Sequence, residues 1–66
     1  MAAHSQIREQ HDGAGLWVWR FDQYVEMGLP ETLAADLADR EWVSVGEFRG
    51  LLRHGASPEQ AYRILA

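Results

Sequence analysis

Between Gly28 and Pro58 the chain is punctuated by helix stop and start signals at intervals that leave room only for helices of two to three turns. Gly28 follows an apolar-periodic run ending at Met27 and suits the C′ position, where the backbone needs φ > 0 and glycine takes it without steric penalty. Leu29 then falls where a Schellman motif places its apolar contact, against Tyr24. Pro30 follows as the first residue of a second helix, where its missing N–H costs nothing. Ser44 and Glu47 form an S-x-x-E capping box, flanked by Val43 and Phe48 at the spacing of a hydrophobic staple. Gly55 is a second C′ stop. Ser57, Pro58 and Gln60 then supply an N-cap, a proline at the first helical position and a capping-box glutamine. A chain marked in this way folds as four short helices, and its class is all-α.

Apolar periodicity assigns a face to each helix. In the first, Trp17, Phe21, Tyr24 and Val25 recur at the i, i+4, i+7, i+8 spacing of one stripe, while Leu16, Val18 and Trp19 fall partly off it. The spacing predicts a helix from about Arg20 to Met27. The β-prone Trp17-Val18-Trp19 leaves the turn before it open to an extended conformation. The second helix turns Leu33, Ala34, Leu37 and Ala38 inward; the third turns Val45, Phe48, Leu51 and Leu52; the fourth turns Ala61, Ile64 and Leu65. Met27-Gly28 and His54-Gly55 each lead through a short turn to Pro-Glu and another helix. The expected architecture is therefore two helical hairpins, a small helix-turn-helix-like bundle around Phe21, Tyr24, Leu33, Leu37, Phe48, Leu51, Ile64 and Leu65. Residues 1–15 are mostly polar and close with Gly13-Ala14-Gly15, which reads as a flexible tail ahead of a single domain over 16–66.

Length and composition exclude several functions. A chain of 66 residues has no room for a second core, and with no cysteine it lacks thiol chemistry, disulfides and the usual structural zinc site. A cytoplasmic setting is the default for such a chain. The longest unbroken apolar run, Leu16 to Trp19, is far short of a membrane span, and no signal-peptide-like segment is present. Every basic residue is Arg, and Lys and Asn are absent, the bias expected of a high-GC bacterial or phage genome. His4, His11 and Asp12 lie in the tail, where three or four rigidly convergent metal ligands are not available. His54 fits a helix C-terminus, and Ser44 and Ser57 are accounted for as caps. With no nucleophile–base pair and no glycine-rich phosphate loop, the chain is read as non-catalytic, with no cofactor and no metal.

Three binding readings remain, with a stability-only scaffold for the tail behind them. Net charge is −4, and from Asp22 to Glu41 six acids stand against Arg40 alone, a net −5. That segment is a poor duplex-binding surface, though it could mimic nucleic acid toward a basic protein. The Leu51–Ala66 segment has the order of a helix-turn-helix, which would place Gln60 and Arg63 toward bases and Arg49 and Arg53 toward phosphate. Gly50 and His54, however, fall where that motif wants packed apolar residues. The stronger reading is protein binding, to a partner or to a second copy. The chain carries seven aromatic rings, and the first helix cannot turn Trp17, Val18 and Trp19 all toward one core.

The run QYVEMGLPETLAADLA followed by VSVGEFRGLL resembles the ubiquitin-associated (UBA) type of three-helix domain, through Met27, Gly28, Leu29, Ala34, Leu37, Leu51 and Leu52. Leu29 stands where that family usually has an aromatic, and a fourth helix follows the leucine pair. The resemblance implies an apolar protein-binding patch at Met27, Leu29, Leu51 and Leu52. More broadly, Trp19 to Leu65 looks like the short helical proteins of unknown function encoded by high-GC bacteria and their phages. The expected partner-binding residues are Trp17, Trp19, Met27, Leu29, Leu51 and Leu52.

Overall fold

The computed structural model describes residues 15–66, so the tail expected over residues 1–15 lies outside the described residues except for Gly15. The chain forms four helices: α1 (Leu16–Glu26), α2 (Glu31–Ala38), α3 (Val45–Arg53) and α4 (Pro58–Leu65). No strand occurs among the described residues. α1 packs mainly on α2 and α3 mainly on α4, with a smaller α1–α3 contact, which gives the two expected hairpins. Trp17-Val18-Trp19 is helical rather than extended. Stacking of Trp17 on Phe21 one turn later, with ring centroids 5.3 Å apart, holds that first turn against the β preference of its residues.

The local signals act as their chemistry requires. Gly28 (φ 112°) donates its N–H to the Val25 carbonyl while Leu29 donates to the Tyr24 carbonyl, the paired bonds of a Schellman motif. Gly55 (φ 101°) and Ala56 repeat the arrangement on Leu52 and Leu51. Both capping boxes are complete. Ser44 Oγ accepts from the Glu47 N–H at 3.0 Å and Glu47 Oε1 from the Ser44 N–H at 3.1 Å; Ser57 and Gln60 do the same at 3.1 and 2.9 Å. One start differs from expectation. Pro30, with ψ 152°, is the N-cap of α2 and not its first helical residue. The first turn is one residue shorter than the second, which has Ser57 ahead of its proline, so Pro30 itself takes the extended cap conformation.

Tyr24, Phe48 and Leu37 are fully buried at the centre, joined by Leu29, Ala34, Ala38, Val43, Val45 and Ala61. The Tyr24 and Phe48 rings meet edge to face at 5.2 Å, which ties α1 to α3. Phe21, Leu33, Leu51 and Leu65 pack around them. Ile64, expected in the core, is 62% exposed. α4 is rotated so that Ala61 is buried with Tyr62 and Leu65 against the bundle, because the Tyr62 hydroxyl donates to Asp36 Oδ2 of α2 at 2.5 Å. Ile64 then points outward. Gly28 makes a further joint between hairpins, since a Cβ there would lie 2.9 Å from Pro58 Cγ.

Candidate functional site

Two side chains of α1 reach across its hairpin and finish α2. The Arg20 guanidinium donates through Nε (3.2 Å) and a terminal nitrogen (2.8 Å) to the Ala38 carbonyl, one of the otherwise unpaired carbonyls at a helix C-terminus. Trp17 Nε1 donates to Asp39 Oδ1 at 2.6 Å. Trp17 is thus half-buried, stacked on Phe21 and fixed by its indole nitrogen, a structural position for a residue expected at the binding surface. Leu29 requires a correction as well: at 3% exposed it belongs to the core, drawn in by the Schellman geometry in which its N–H donates to the Tyr24 carbonyl. Met27, Leu51 and Leu52 are half-buried and pack on the core cluster. Of the six expected binding residues, Trp19 alone is an exposed large apolar side chain, at 50%.

Trp19 does not stand alone on α1. Leu16 (43%) and Val18 (47%) are exposed in the same first turn, three residues and one residue away, flanking the outward side that Trp19 occupies. The signal for both was present in the sequence, as they fall off the Trp17–Phe21–Tyr24 stripe. Further along the same outward side come Asp22 and Glu26, both exposed. Arg20, which could have neutralised them, is turned inward to Ala38. Trp42, in the α2–α3 loop, is 74% exposed with the Arg40 guanidinium 6.0 Å from its ring centre.

The polar groups are engaged in structure. Asp36 Oδ2 accepts from both Tyr62 and Arg40 (3.1 Å). The Tyr62 bond, with Arg40 second, holds the Asp36 carboxyl below the usual range, and the same bond raises the Tyr62 phenol. Burial pushes the Tyr24 phenol up, with Arg20 opposing and Glu47 reinforcing, and its hydroxyl has no hydrogen-bond partner among the described residues. Among those residues no group of three or more His, Cys, Asp or Glu is placed to hold a metal ion. His4, His11 and Asp12 lie outside them. No helix among the described residues is long and apolar enough to cross a membrane.

For duplex DNA, Arg49, Arg53, Gln60 and Arg63 are all exposed on α3 and α4, but two are already bonded. Gln60 Oε1 serves the α4 cap and Arg49 donates to Gln23 Oε1 at 3.2 Å. His54 is the exposed C-cap of α3. No known protein family matches the chain, nor does any curated protein or solved structure.

Proposed function

We propose that this chain is a non-catalytic protein-binding module, a cytoplasmic accessory factor of a high-GC bacterium or its phage, and that it docks through the outward side of α1. One observation carries the reading. Leu16, Val18 and Trp19 leave large apolar side chains in solvent within the first turn of one helix, in a bundle that already completes its core with Tyr24, Phe48 and Leu37. Isolated exposed apolar residues are ordinary, whereas a group of them around a Trp is what protein interfaces are built on. The UBA-like patch contributes less to this surface, since Leu29 is buried and Leu51 and Leu52 are half-buried. The duplex-DNA reading has weaker support because the cap holds the carbonyl of Gln60.

Affinity capture with the wild type, Val18→Ser plus Trp19→Ser, and Glu59→Ala tests the proposal. A protein retained by wild type and Glu59→Ala and lost by the double variant is the expected result. Equal retention by all three chains removes the α1 assignment, and recovery of salt-sensitive DNA in place of protein replaces it with the helix-turn-helix reading.

A further inference from the structure

Taking the protein-binding reading as its premise, we infer that the occupant of the α1 surface is a second copy of this chain, in a twofold dimer that sets α1 of each copy on α3 of the other. An interface of standard size takes ~800 Å² from each partner, more than three side chains at the start of α1 supply. The neighbouring surface therefore has to contribute, and that surface is α3. Arg49 of α3 donates to Gln23 of α1, so the outward sides of the two helices adjoin in one molecule.

The two sides are opposite in charge. Asp22 and Glu26, four apart, are exposed on α1; Arg49 and Arg53, four apart, are exposed on α3. None of the four takes part in an ion pair among the described residues, where the one such pair joins Arg40 and Asp36. Glu47, the other acid of α3, has its carboxylate in the Ser44 cap. A twofold axis between the helices lets each acidic side meet a basic side twice over, the self-complementarity that an isologous interface needs. Trp19, with Leu16 and Val18, supplies the apolar contact between the charged rows.

The glycines of α3 agree with this placement. Gly46 and Gly50 share the outward side with the two arginines, and Gly within a helix destabilises it relative to Ala. Nothing among the described residues requires either: a Cβ at Gly50 would meet open space there, and one at Gly46 would make only an ordinary 3.8 Å contact with Ser44. A second helix lying against α3 gives the missing Cβ atoms a purpose, the close approach of two backbones.

Sedimentation equilibrium on four samples tests the inference: wild type, Asp22→Arg plus Glu26→Arg, Arg49→Glu plus Arg53→Glu, and an equimolar mixture of the two variants. The wild type should dimerise, and more weakly by roughly tenfold or more as salt is raised from about 0.05 to 0.5 M. Each reversed variant should be monomeric and keep its helical circular dichroism, since all four side chains are exposed and the one intramolecular bond lost, from Arg49 to Gln23, lies at the surface. The mixture should dimerise as the wild type does, since reversed α1 then meets reversed α3. Gly50→Ala should raise the melting temperature of the monomer while weakening the dimer. A wild type that stays monomeric at about 100 μM, well above a micromolar dissociation constant, overturns the inference. So does a dimer that survives both reversals, or a mixture that fails to associate. A monomeric wild type that still binds another protein through Val18 and Trp19 would end this inference and leave the protein-binding reading standing.

Discussion

Replacing Gly28 by Ala tests how the two hairpins are joined, and Gly55→Ala supplies its internal reference. Both glycines stop a helix in a Schellman motif at nearly the same positive φ, 112° and 101°. An L-residue pays ~1–2 kcal/mol for left-handed backbone, partly offset by ~0.4–1 kcal/mol of lost freedom in the unfolded chain, and this part is common to the two sites. Their surroundings differ. Among the described residues a Cβ at Gly55 meets nothing within 4 Å, whereas at Gly28 it lies 2.9 Å from Pro58 Cγ and 3.6 Å from Pro58 Cβ. The first distance is about 0.6 Å inside the ~3.5 Å edge of favourable carbon–carbon contact. The opposing atom belongs to a closed ring at the first residue of α4, so beyond the small shift that a change of ring pucker allows it cannot swing aside. Relief requires moving the α3–α4 hairpin, and overpacking of this kind costs ~1–3 kcal/mol.

Gly28→Ala should therefore destabilise by ~1–3 kcal/mol more than Gly55→Ala. At ~4–8 °C per kcal/mol, its melting temperature should lie roughly 5–20 °C lower. Urea and thermal unfolding followed by far-UV circular dichroism measure the difference. In a Pro58→Ala background the excess should disappear, leaving the two glycine substitutions equivalent to within ~0.5 kcal/mol. Equal losses at Gly28 and Gly55 with Pro58 intact would show that the hairpins do not meet where the structure puts them.

Three further outcomes follow from the same packing. Ser44→Ala and Ser57→Ala each remove a side-chain cap and should each cost ~1 kcal/mol in urea unfolding, while Ser→Gly at either site should cost only a few tenths; a loss below ~0.3 kcal/mol for both Ala variants contradicts the capping boxes. Tyr24→Phe keeps the edge-to-face contact with Phe48 and removes a buried hydroxyl that has no partner among the described residues, so it should be neutral or stabilising by up to ~1–2 kcal/mol, and a loss of more than ~1 kcal/mol would reveal an unrecognised partner. The pH profile should carry the Asp36–Tyr62 pair. Since the folded Asp36 pKa is depressed, its contribution is present above the unfolded value of about 3.9 and is lost as pH falls through the folded one. Since the Tyr62 pKa is raised, its contribution is present below about 10 and is lost as pH rises further. Tyr62→Phe should shrink both limbs of the stability profile, and an unchanged acid limb would mean that the hydroxyl does not hold the carboxylate.

The legibility of this fold tracks how local each determinant is. Ser44 with Glu47 and Ser57 with Gln60 interact within one turn, and Gly28 and Gly55 act through backbone geometry alone, so four helices and two hairpins can be read directly from the chain. Ile64 could not be placed that way. On α4 the stripe of Ala61, Ile64 and Leu65 and the stripe of Ala61, Tyr62 and Leu65 are equally helical, and what selects the second is Asp36, twenty-six residues away in sequence. The binding surface shows the same limit. Surplus aromatics at the start of α1 and the place of Trp17 on the Phe21–Tyr24 stripe are evident from spacing, but the bond that fixes its indole is made to Asp39, again a partner distant in sequence. Leu29 was legible twice over, as a Schellman contact and as a loop residue of a UBA-like patch, and the backbone bonding to Tyr24 decides for the core.

The central claim is that the outward side of α1 is where this chain meets protein. In-cell photo-cross-linking tests it most directly, with a photoreactive side chain at Val18 on that surface and, in a separate strain, at Glu59 on the opposite hairpin; both positions are exposed and neither is used in the core. A discrete cross-linked protein band from position 18, absent from position 59 and abolished by Trp19→Ser, is the predicted result. Position 18 giving no more cross-linked protein than position 59 would contradict the claim.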